Sequence, residues 1–230
     1  MKTIIILHGW GSSKEKWENV KKFLEEQGIR VLALDLPGFK PENQLKQAWR
    51  LDDYVEWVKP KVGEGKVFLL GHSFGGRIAM KFAVKYPHLL QGLILVSAAG
   101  IKDTSLKTNF FGFLAGISQK LKISQCPCYG FLRKIFYKFI LRKNDYFRAN
   151  PIQKEIMQKA INEDLTGLLK DISLPTLIVW GRKDKTTPLK NAYLMKEKIQ
   201  GAKLKILPCV GHSPHLENPG LLADKIKEFL

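Results

Sequence analysis

The segment VFLLGHSFGGRIA, Val67–Ala79, governs how the rest of the chain is interpreted. Its first residues, Val67–Leu70, form an apolar run that predicts a buried strand, and Arg77–Tyr86 has the composition of a helix. Between them Gly71–Gly75 fits the pattern G-x-S-x-G, with Ser73 at the tip of a sharp turn. The outer glycines have no Cβ to collide across the turn, and Ser73 is expected to be strained, with its Oγ exposed at the sheet edge. A strand before this pattern and a helix after it indicate a nucleophile elbow rather than a chance match.

On both sides of this segment, apolar strand patterns alternate with helical patterns. This alternation predicts an α/β fold with a doubly wound, mainly parallel six-stranded sheet and helices on both faces. The other predicted strands are Lys2–Leu7, Val31–Leu36, Leu93–Val96, Thr176–Trp180 and Leu204–Leu207. The other predicted helices are Lys14–Gln27, Leu45–Val58, Leu189–Ile199 and Gly220–Leu230.

The alternation stops over residues 101–169, where the chain is rich in Phe and Lys and its apolar residues recur at helical spacing. We therefore expect a helical cap at 101–169, inserted into a body formed by residues 1–100 and 170–230. Phe110, Phe111 and Phe136 are candidates for the wall of a substrate pocket. The alternative is that these side chains only pack the cap onto the body.

Composition excludes several classes of protein. The chain has 230 residues, of which 45% are hydrophobic, and no apolar run reaches the ~18 residues of a membrane-spanning helix. The N-terminal apolar run is too short for a signal peptide. The three cysteines, Cys126, Cys128 and Cys209, are an odd number without zinc-site spacing, so we expect reduced thiols and a cytoplasmic protein.

The formal net charge is +17, contributed mostly by lysine. Such a charge could attract anionic substrates, nucleic acid or a membrane surface. The simpler explanation is a solvated, lysine-rich surface, since arginine is scarce and no nucleic-acid-binding motif is present. We predict no nucleic-acid partner and no integral membrane segment.

A serine nucleophile needs a base, and the base needs an acid that orients it. His212 follows the last predicted strand and Asp184 follows the fifth, so both are expected at the sheet edge that carries Ser73. His215 is a weaker alternative for the base, and Asp103, after the fourth strand, is a weaker alternative for the acid.

The remaining histidines and aspartates near strand ends have simpler roles. His8 and His72 lie inside tight loops and are expected to fix loop structure, and His88 lies at the far end of a helix. Asp35 belongs to an Asp-Leu-Pro-Gly turn, and Asp171 precedes the fifth strand and so lies at the opposite edge.

The order Ser73, Asp184, His212 is the order of the α/β-hydrolases, and the sequence resembles that family. The segments that match are HGWGSS, DLPGF, GHSFGG, WGRKD with TTP after it, and GHSPHLENP, between residues 8 and 219. The resemblance is to single-domain serine esterases and C–C hydrolases with a helical cap. It implies Ser73 as nucleophile, Asp184 as acid and His212 as base.

The resemblance also implies an oxyanion hole made by the backbone N–H groups of Trp10 and Phe74, with Gly9 and His72 as further candidates beside the substrate. It implies neither a cofactor nor a metal. Two features depart from the family: no β-hairpin precedes the loop at residue 8, and Lys40 stands where glycine is frequent.

The expected function is hydrolysis of carboxylic esters with small to medium acyl or aryl groups, by a monomer or dimer acting on a small molecule. Family C–C hydrolases tend to have Asn before the nucleophile, whereas this chain has His72, which favours an esterase. C–C hydrolase, lactonase and thioesterase activities remain alternatives on the same triad. A receptor that retains the triad is the alternative from another functional class.

Overall fold

The computed structural model describes residues 1–63, 65–102 and 149–230, which contain six strands. In chain order these are β1 (Thr3–Leu7), β2 (Arg30–Leu34), β3 (Val67–His72), β4 (Leu90–Val96), β5 (Thr176–Gly181) and β6 (Lys203–Leu207). They form one sheet in the order β2-β1-β3-β4-β5-β6, and every neighbouring pair is parallel. The predicted six-stranded, doubly wound α/β architecture is confirmed.

Helices cover both faces of the sheet. They are α1 (Glu18–Glu25), α2 (Leu51–Val62), α3 (Phe74–Lys85), α4 (Pro151–Asn162), α5 (Leu189–Lys198), α6 (Pro214–Glu217) and α7 (Pro219–Lys227). Among the described residues, no helix combines the length and the apolar composition needed to cross a bilayer.

Two hydrophobic cores result, one on each face. Ile5 and Leu7 of β1 face the core formed with α2, α3, α4 and α5, whereas Ile4 and Ile6 face the core formed with α1 and α7. Because both faces are covered, the central strands carry runs of consecutive apolar residues, such as Ile4–Leu7 and Leu93–Val96, instead of alternating with polar residues.

Two α-helices begin later than predicted. The helix predicted from Lys14 begins as a 3₁₀ turn, Lys14–Trp17, and becomes α-helical at Glu18. The helix predicted at Leu45–Val58 begins only at Leu51, where the Asp53 carboxylate accepts the backbone N–H of Arg50. This carboxylate cap sets the helix start, which an apolar pattern cannot locate.

The chain divides into two units, Met1–Ile101 with Pro151–Leu230, and Lys102–Asn150. This division differs from the expected cap boundary at residue 169, because residues from Pro151 onward belong to the first unit. Helix α4 and the turn after it bury Ile156, Leu165 and Leu169 in the core of that unit. Helical spacing predicts a helix but does not show which surface its apolar face covers. The predicted helices at 103–148, with Phe110, Phe111 and Phe136, lie outside the described residues.

Candidate active site

Ser73 lies in the tight turn between β3 and α3 in a strained conformation, with φ of 50° and ψ of −110°. Such a conformation costs on the order of 1–3 kcal/mol for a residue with a side chain, so surrounding contacts must impose it. The Ser73 N–H donates to the Val96 carbonyl (3.2 Å), and the Ser73 carbonyl accepts from the Ala99 N–H (3.0 Å). The end of β4 and the loop after it thus hold the backbone N–H and carbonyl of Ser73.

Close backbone contacts explain the two outer glycines of the elbow. A Cβ at Gly75 would lie 2.2 Å from the Leu7 carbonyl oxygen, and a Cβ at Gly71 would lie 2.5 Å from the Gly75 carbonyl oxygen. Neither position has space for a side chain. The start of α3 therefore packs directly against the ends of β1 and β3, as the sequence pattern indicates.

The structure brings Ser73, His212 and Asp184 into one hydrogen-bonded row. Ser73 Oγ lies 3.0 Å from His212 Nε2, and His212 Nδ1 lies 2.8 Å from Asp184 Oδ2. The carboxylate accepts the Nδ1 proton, which leaves Nε2 as the acceptor for the serine hydroxyl. The Asp184 side chain is fully buried and that of His212 is 20% exposed. His212 therefore lies between a carboxylate that is buried away from solvent and a serine hydroxyl at the edge of the sheet.

The Asp184 carboxylate is saturated with donors. Its Oδ1 accepts the backbone N–H groups of Thr186 (2.7 Å) and Thr187 (2.9 Å), and its Oδ2 accepts from His212 and from the Thr187 hydroxyl (2.7 Å). Burial acts to raise the pKa of Asp184, but the hydrogen bonds from His212 and Thr187 outweigh it and the pKa is lowered. Asp184 is consequently a fixed anion behind His212.

The backbone N–H groups expected to form the oxyanion hole, those of Trp10 and Phe74, have no acceptor among the described residues. Phe74 is the first residue of α3, where N–H groups have no partner within the helix and the helix dipole is positive. The rings of Trp10 and Phe74 meet edge to face at 5.5 Å. The loop that carries Trp10 is held by His8, whose Nε2 accepts the Leu36 N–H at 3.0 Å.

A cluster of buried rings lies behind His212. His72 donates its Nε2–H to the His212 carbonyl oxygen at 2.9 Å, and His215 stacks on Trp17 with ring centroids 4.3 Å apart. Burial, reinforced by the neighbouring histidines, holds the pKa of His72 well below its usual value and lowers that of His215 to about 4. Both rings are therefore neutral near pH 7.

The two pocket candidates of the body pack against each other. His72 is 4% exposed, and a Cβ at Gly9 would lie 2.7 Å from its Nδ1. This contact gives both residues a packing role, and their place beside the substrate stays a prediction. A loop sequence cannot reveal it, because it depends on how β1 and β3 align in the sheet.

The other candidates from the sequence lie elsewhere. His215 is engaged with Trp17, and exposed His88 has its ring near Tyr86. Asp35 binds the Lys14 N–H (2.9 Å) and pairs with Lys40 (2.8 Å). Asp171 ends a 3₁₀ turn before β5, and Asp103 lies outside the described residues. The departure at Lys40 is accommodated, since its backbone is extended, with φ of −118°, and does not require glycine.

Sequence reasoning missed two residues of the site. The sequence assigned Trp17 no role at the site, yet its ring stacks on His215. Thr187 was noted only within a matching segment, yet its hydroxyl reaches the Asp184 carboxylate. The one available signal was its position three residues after an aspartate at a strand end, where a turn brings side chain and backbone donors to the carboxylate. Among the described residues, no group of His, Cys, Asp and Glu side chains is arranged to hold a metal ion.

Comparison with known proteins shows which family and which individual proteins the chain is similar to. A model of the α/β-hydrolase fold matches residues 2–122 and 136–219 of the chain. The pimeloyl-acyl carrier protein methyl ester esterase of Wigglesworthia glossinidia brevipalpis is 28% identical over 244 residues, which cover 99% of this chain and 93% of that protein. The 2-hydroxy-6-oxononadienedioate/2-hydroxy-6-oxononatrienedioate hydrolase of a Pseudomonas species is 25% identical, with 99% and 86% covered.

Solved structures show the same fold. The esterase of Exiguobacterium antarcticum superposes with a TM-score of 0.75 at 22% identity, over 100% of this chain and 91% of that one.

Proposed function

Because the chain belongs to the α/β-hydrolase fold family, we propose that it is a serine hydrolase that cleaves carboxylic esters through an acyl-enzyme on Ser73. The observation that carries the proposal is the unbroken row of hydrogen bonds from Ser73 through His212 to Asp184. An activated serine with a histidine base is suited to acyl transfer, since it splits one difficult step into two easier ones.

In the first half of the reaction, His212 Nε2 takes the proton of Ser73 while Oγ forms a bond to the ester carbonyl carbon. The buried Asp184 carboxylate stabilises the imidazolium that results and keeps the ring in the required tautomer. The imidazolium then gives its proton to the departing alcohol oxygen as the carbon–oxygen bond of the ester breaks. In the second half, water repeats the sequence and releases the acid.

The N–H groups of Trp10 and Phe74 are the donors we propose for the oxyanion. Support comes from their lack of other acceptors among the described residues and from the position of Phe74 at the positive end of α3. Removing one donor of an oxyanion hole typically lowers kcat by about 10²–10³-fold. Because both donors belong to the main chain, their geometry depends on the glycine contacts that fix the two loops.

Ester chemistry is supported by the relative from Wigglesworthia, which is a methyl ester esterase. The match covers nearly the whole length of both chains. The Pseudomonas relative supports C–C hydrolysis as the second candidate, which the same row of residues can perform. We prefer the ester, with small to medium acyl or aryl groups, because His72 occupies the position before the nucleophile. An odd number of cysteines supports a cytoplasmic location.

Hydrolysis of p-nitrophenyl esters of increasing acyl length, followed by kcat/KM, tests the proposal. Wild-type protein should turn over short and medium esters, and Ser73→Ala should lose roughly 10⁴-fold or more in rate. Ser97→Ala is the matched control, because Ser97 is the other non-glycine residue with positive φ among the described residues and its hydroxyl is buried without a partner.

Retained activity in Ser73→Ala would refute the assignment. Faster turnover of 2-hydroxy-6-oxononadienedioate than of any ester would favour the second candidate.

A further inference from the structure

The hydroxyl of Thr187 has a position that no step of the proposed reaction uses. Its Oγ1 lies 2.7 Å from Asp184 Oδ2, the same oxygen that accepts the His212 ring proton at 2.8 Å. It also lies 3.2 Å from the Ser97 carbonyl oxygen and 3.3 Å from His212 Nδ1. Thr187 is buried, with 7% of its surface exposed, so water does not compete freely for this hydroxyl.

The direction of the Thr187 hydroxyl proton follows from these distances. A hydroxyl carries one proton, and the carboxylate can only accept. If the proton pointed to the Ser97 carbonyl, an oxygen lone pair of Thr187 would face the anionic Asp184 oxygen at 2.7 Å, which is repulsive. The shorter, charge-assisted contact therefore takes the proton, and Thr187 donates to Asp184 Oδ2.

The backbone of Thr187 is held independently of its side chain. Its N–H donates to Asp184 Oδ1 at 2.9 Å, and its carbonyl oxygen accepts the indole N–H of Trp180 at 3.0 Å. Substituting the side chain therefore leaves the turn after β5 anchored at both ends of the residue. The hydroxyl can be removed without dismantling the site.

We propose that the Thr187 hydroxyl is a positioning group that sets the proton affinity of His212. This proposal rests on the function proposed for Ser73, His212 and Asp184. The Thr187 hydroxyl and the His212 ring donate to the same carboxylate oxygen. The bond from Thr187 partly neutralises the negative charge on that oxygen, so Asp184 stabilises the imidazolium of His212 less. Without the hydroxyl, Asp184 would hold the His212 proton more tightly. His212 would then remain protonated, and unable to accept from Ser73, up to a higher pH.

The other charged or titratable groups around this pair are unaffected by the change. His72, on β3, has its ring near His212, and His215, on α6, has its ring near His72; burial lowers the pKa of both rings, to about 4 for His215. Burial also lowers the pKa of His8. The exposed Lys183 and Lys185 flank Asp184 on its own loop and keep their positions when only the side chain at 187 changes.

The test measures the titration of the His212 ring by NMR in the intact protein, without substrate. Thr187→Val should move the midpoint upward by about half a pH unit, a modest part of what a charged hydrogen bond can contribute. Thr187→Ser restores the donor and should return the midpoint to the wild-type value. Thr186→Val is the matched control, since exposed Thr186 contributes its backbone N–H to Asp184.

A purely structural role for Thr187 predicts lower stability of Thr187→Val with an unchanged midpoint, and that result would overturn the proposal, as would a downward shift. Thr187→Ala removes the same donor with less bulk and should shift in the same direction if the valine variant folds poorly. The acid limb of kcat/KM should move with the NMR midpoint. Because the NMR titration requires no turnover, a protein that hydrolyses no ester would refute the proposed function while leaving the role of Thr187 measurable.

Discussion

Behind the nucleophile, Gly9 packs tightly against His72. A Cβ at Gly9 would lie 2.7 Å from His72 Nδ1 and 3.3 Å from Ser73 Cβ. His72 in turn holds the His212 carbonyl oxygen through its Nε2–H. A single missing methyl group thus allows the loop after β1, the nucleophile elbow and the histidine loop to meet.

Gly9→Ala should lower kcat/KM by about 10²-fold, because a shift of the His72 ring moves both Ser73 and His212 and small misplacements of reacting groups are costly. Ester kinetics with kcat and KM determined separately check this, and the loss should appear chiefly in kcat. Gly167→Ala is the control, since nothing lies within 4 Å of a Cβ there. Wild-type kinetics in Gly9→Ala would show that the contact does not position the site.

The residues of the site that could be predicted are those whose positions follow from the order of strands along the chain. Ser73, Asp184 and His212 each follow a strand of a parallel sheet, so their convergence is a consequence of topology. The hydrogen bond from Thr187 and the contact of His72 with Gly9 were not predictable. They depend on side-chain direction within turns and on strand register, and neither is encoded in a local pattern.

Between elements, Arg77 ties α3 to α4. Its buried guanidinium donates to the carbonyl oxygens of Ala160 (2.7 Å) and Glu163 (3.0 Å), at the end of α4 where carbonyls have no helical partner. Burial lowers the pKa of Arg77 to about 10, which leaves it charged near neutral pH. One turn later Lys81 pairs with Asp52 at 2.8 Å and with Glu163. The nucleophile helix thus anchors the helix that follows residue 150.

Arg77→Met should lower the free energy of unfolding by about 3 kcal/mol, since two buried carbonyl groups lose a charged donor. Urea denaturation measures the change. Arg182→Met, at an exposed position, should stay within about 0.5 kcal/mol of wild type. A value for Arg77→Met as small as that of the control would mean that α4 is held by its apolar face alone.

At the scale of the whole molecule, the parallel sheet with two buried cores was predictable from alternating apolar runs, whereas the division of the chain was not. The boundary at Asn150 depends on where the apolar face of α4 packs. The same two cores also bury titratable groups. His8, His72 and His215 are each less than 5% exposed, and burial lowers the pKa of all three.

Folding should therefore weaken in acid from about pH 6.5 downward. In the unfolded chain these histidines bind protons near pH 6.5, whereas in the folded protein His215 does so only at about 4, so the unfolded state gains protons first. Between those values His215 lowers the free energy of unfolding by about 1.4 kcal/mol per pH unit, His8 and His72 act in the same direction, and above pH 6.5 the effect disappears.

Urea denaturation at pH 7.5, 6.0 and 5.0 measures the slope. His215→Phe keeps a ring on Trp17 and should reduce the slope, whereas His88→Gln, at an exposed position, should leave it unchanged. A free energy of unfolding that stays constant from pH 7.5 to 5.0 would mean that the buried rings are protonated in the folded state.

The central claim is that Ser73 is a nucleophile activated by His212 and Asp184, and covalent trapping tests it most directly. The protein is incubated with a fluorophosphonate, and the adduct is counted by intact mass spectrometry and located by peptide mapping. The account predicts one adduct on Ser73, absent from Ser73→Ala, strongly slowed in His212→Ala and unchanged in Ser97→Ala. An adduct on another residue, or equal labelling of Ser73→Ala, would contradict it.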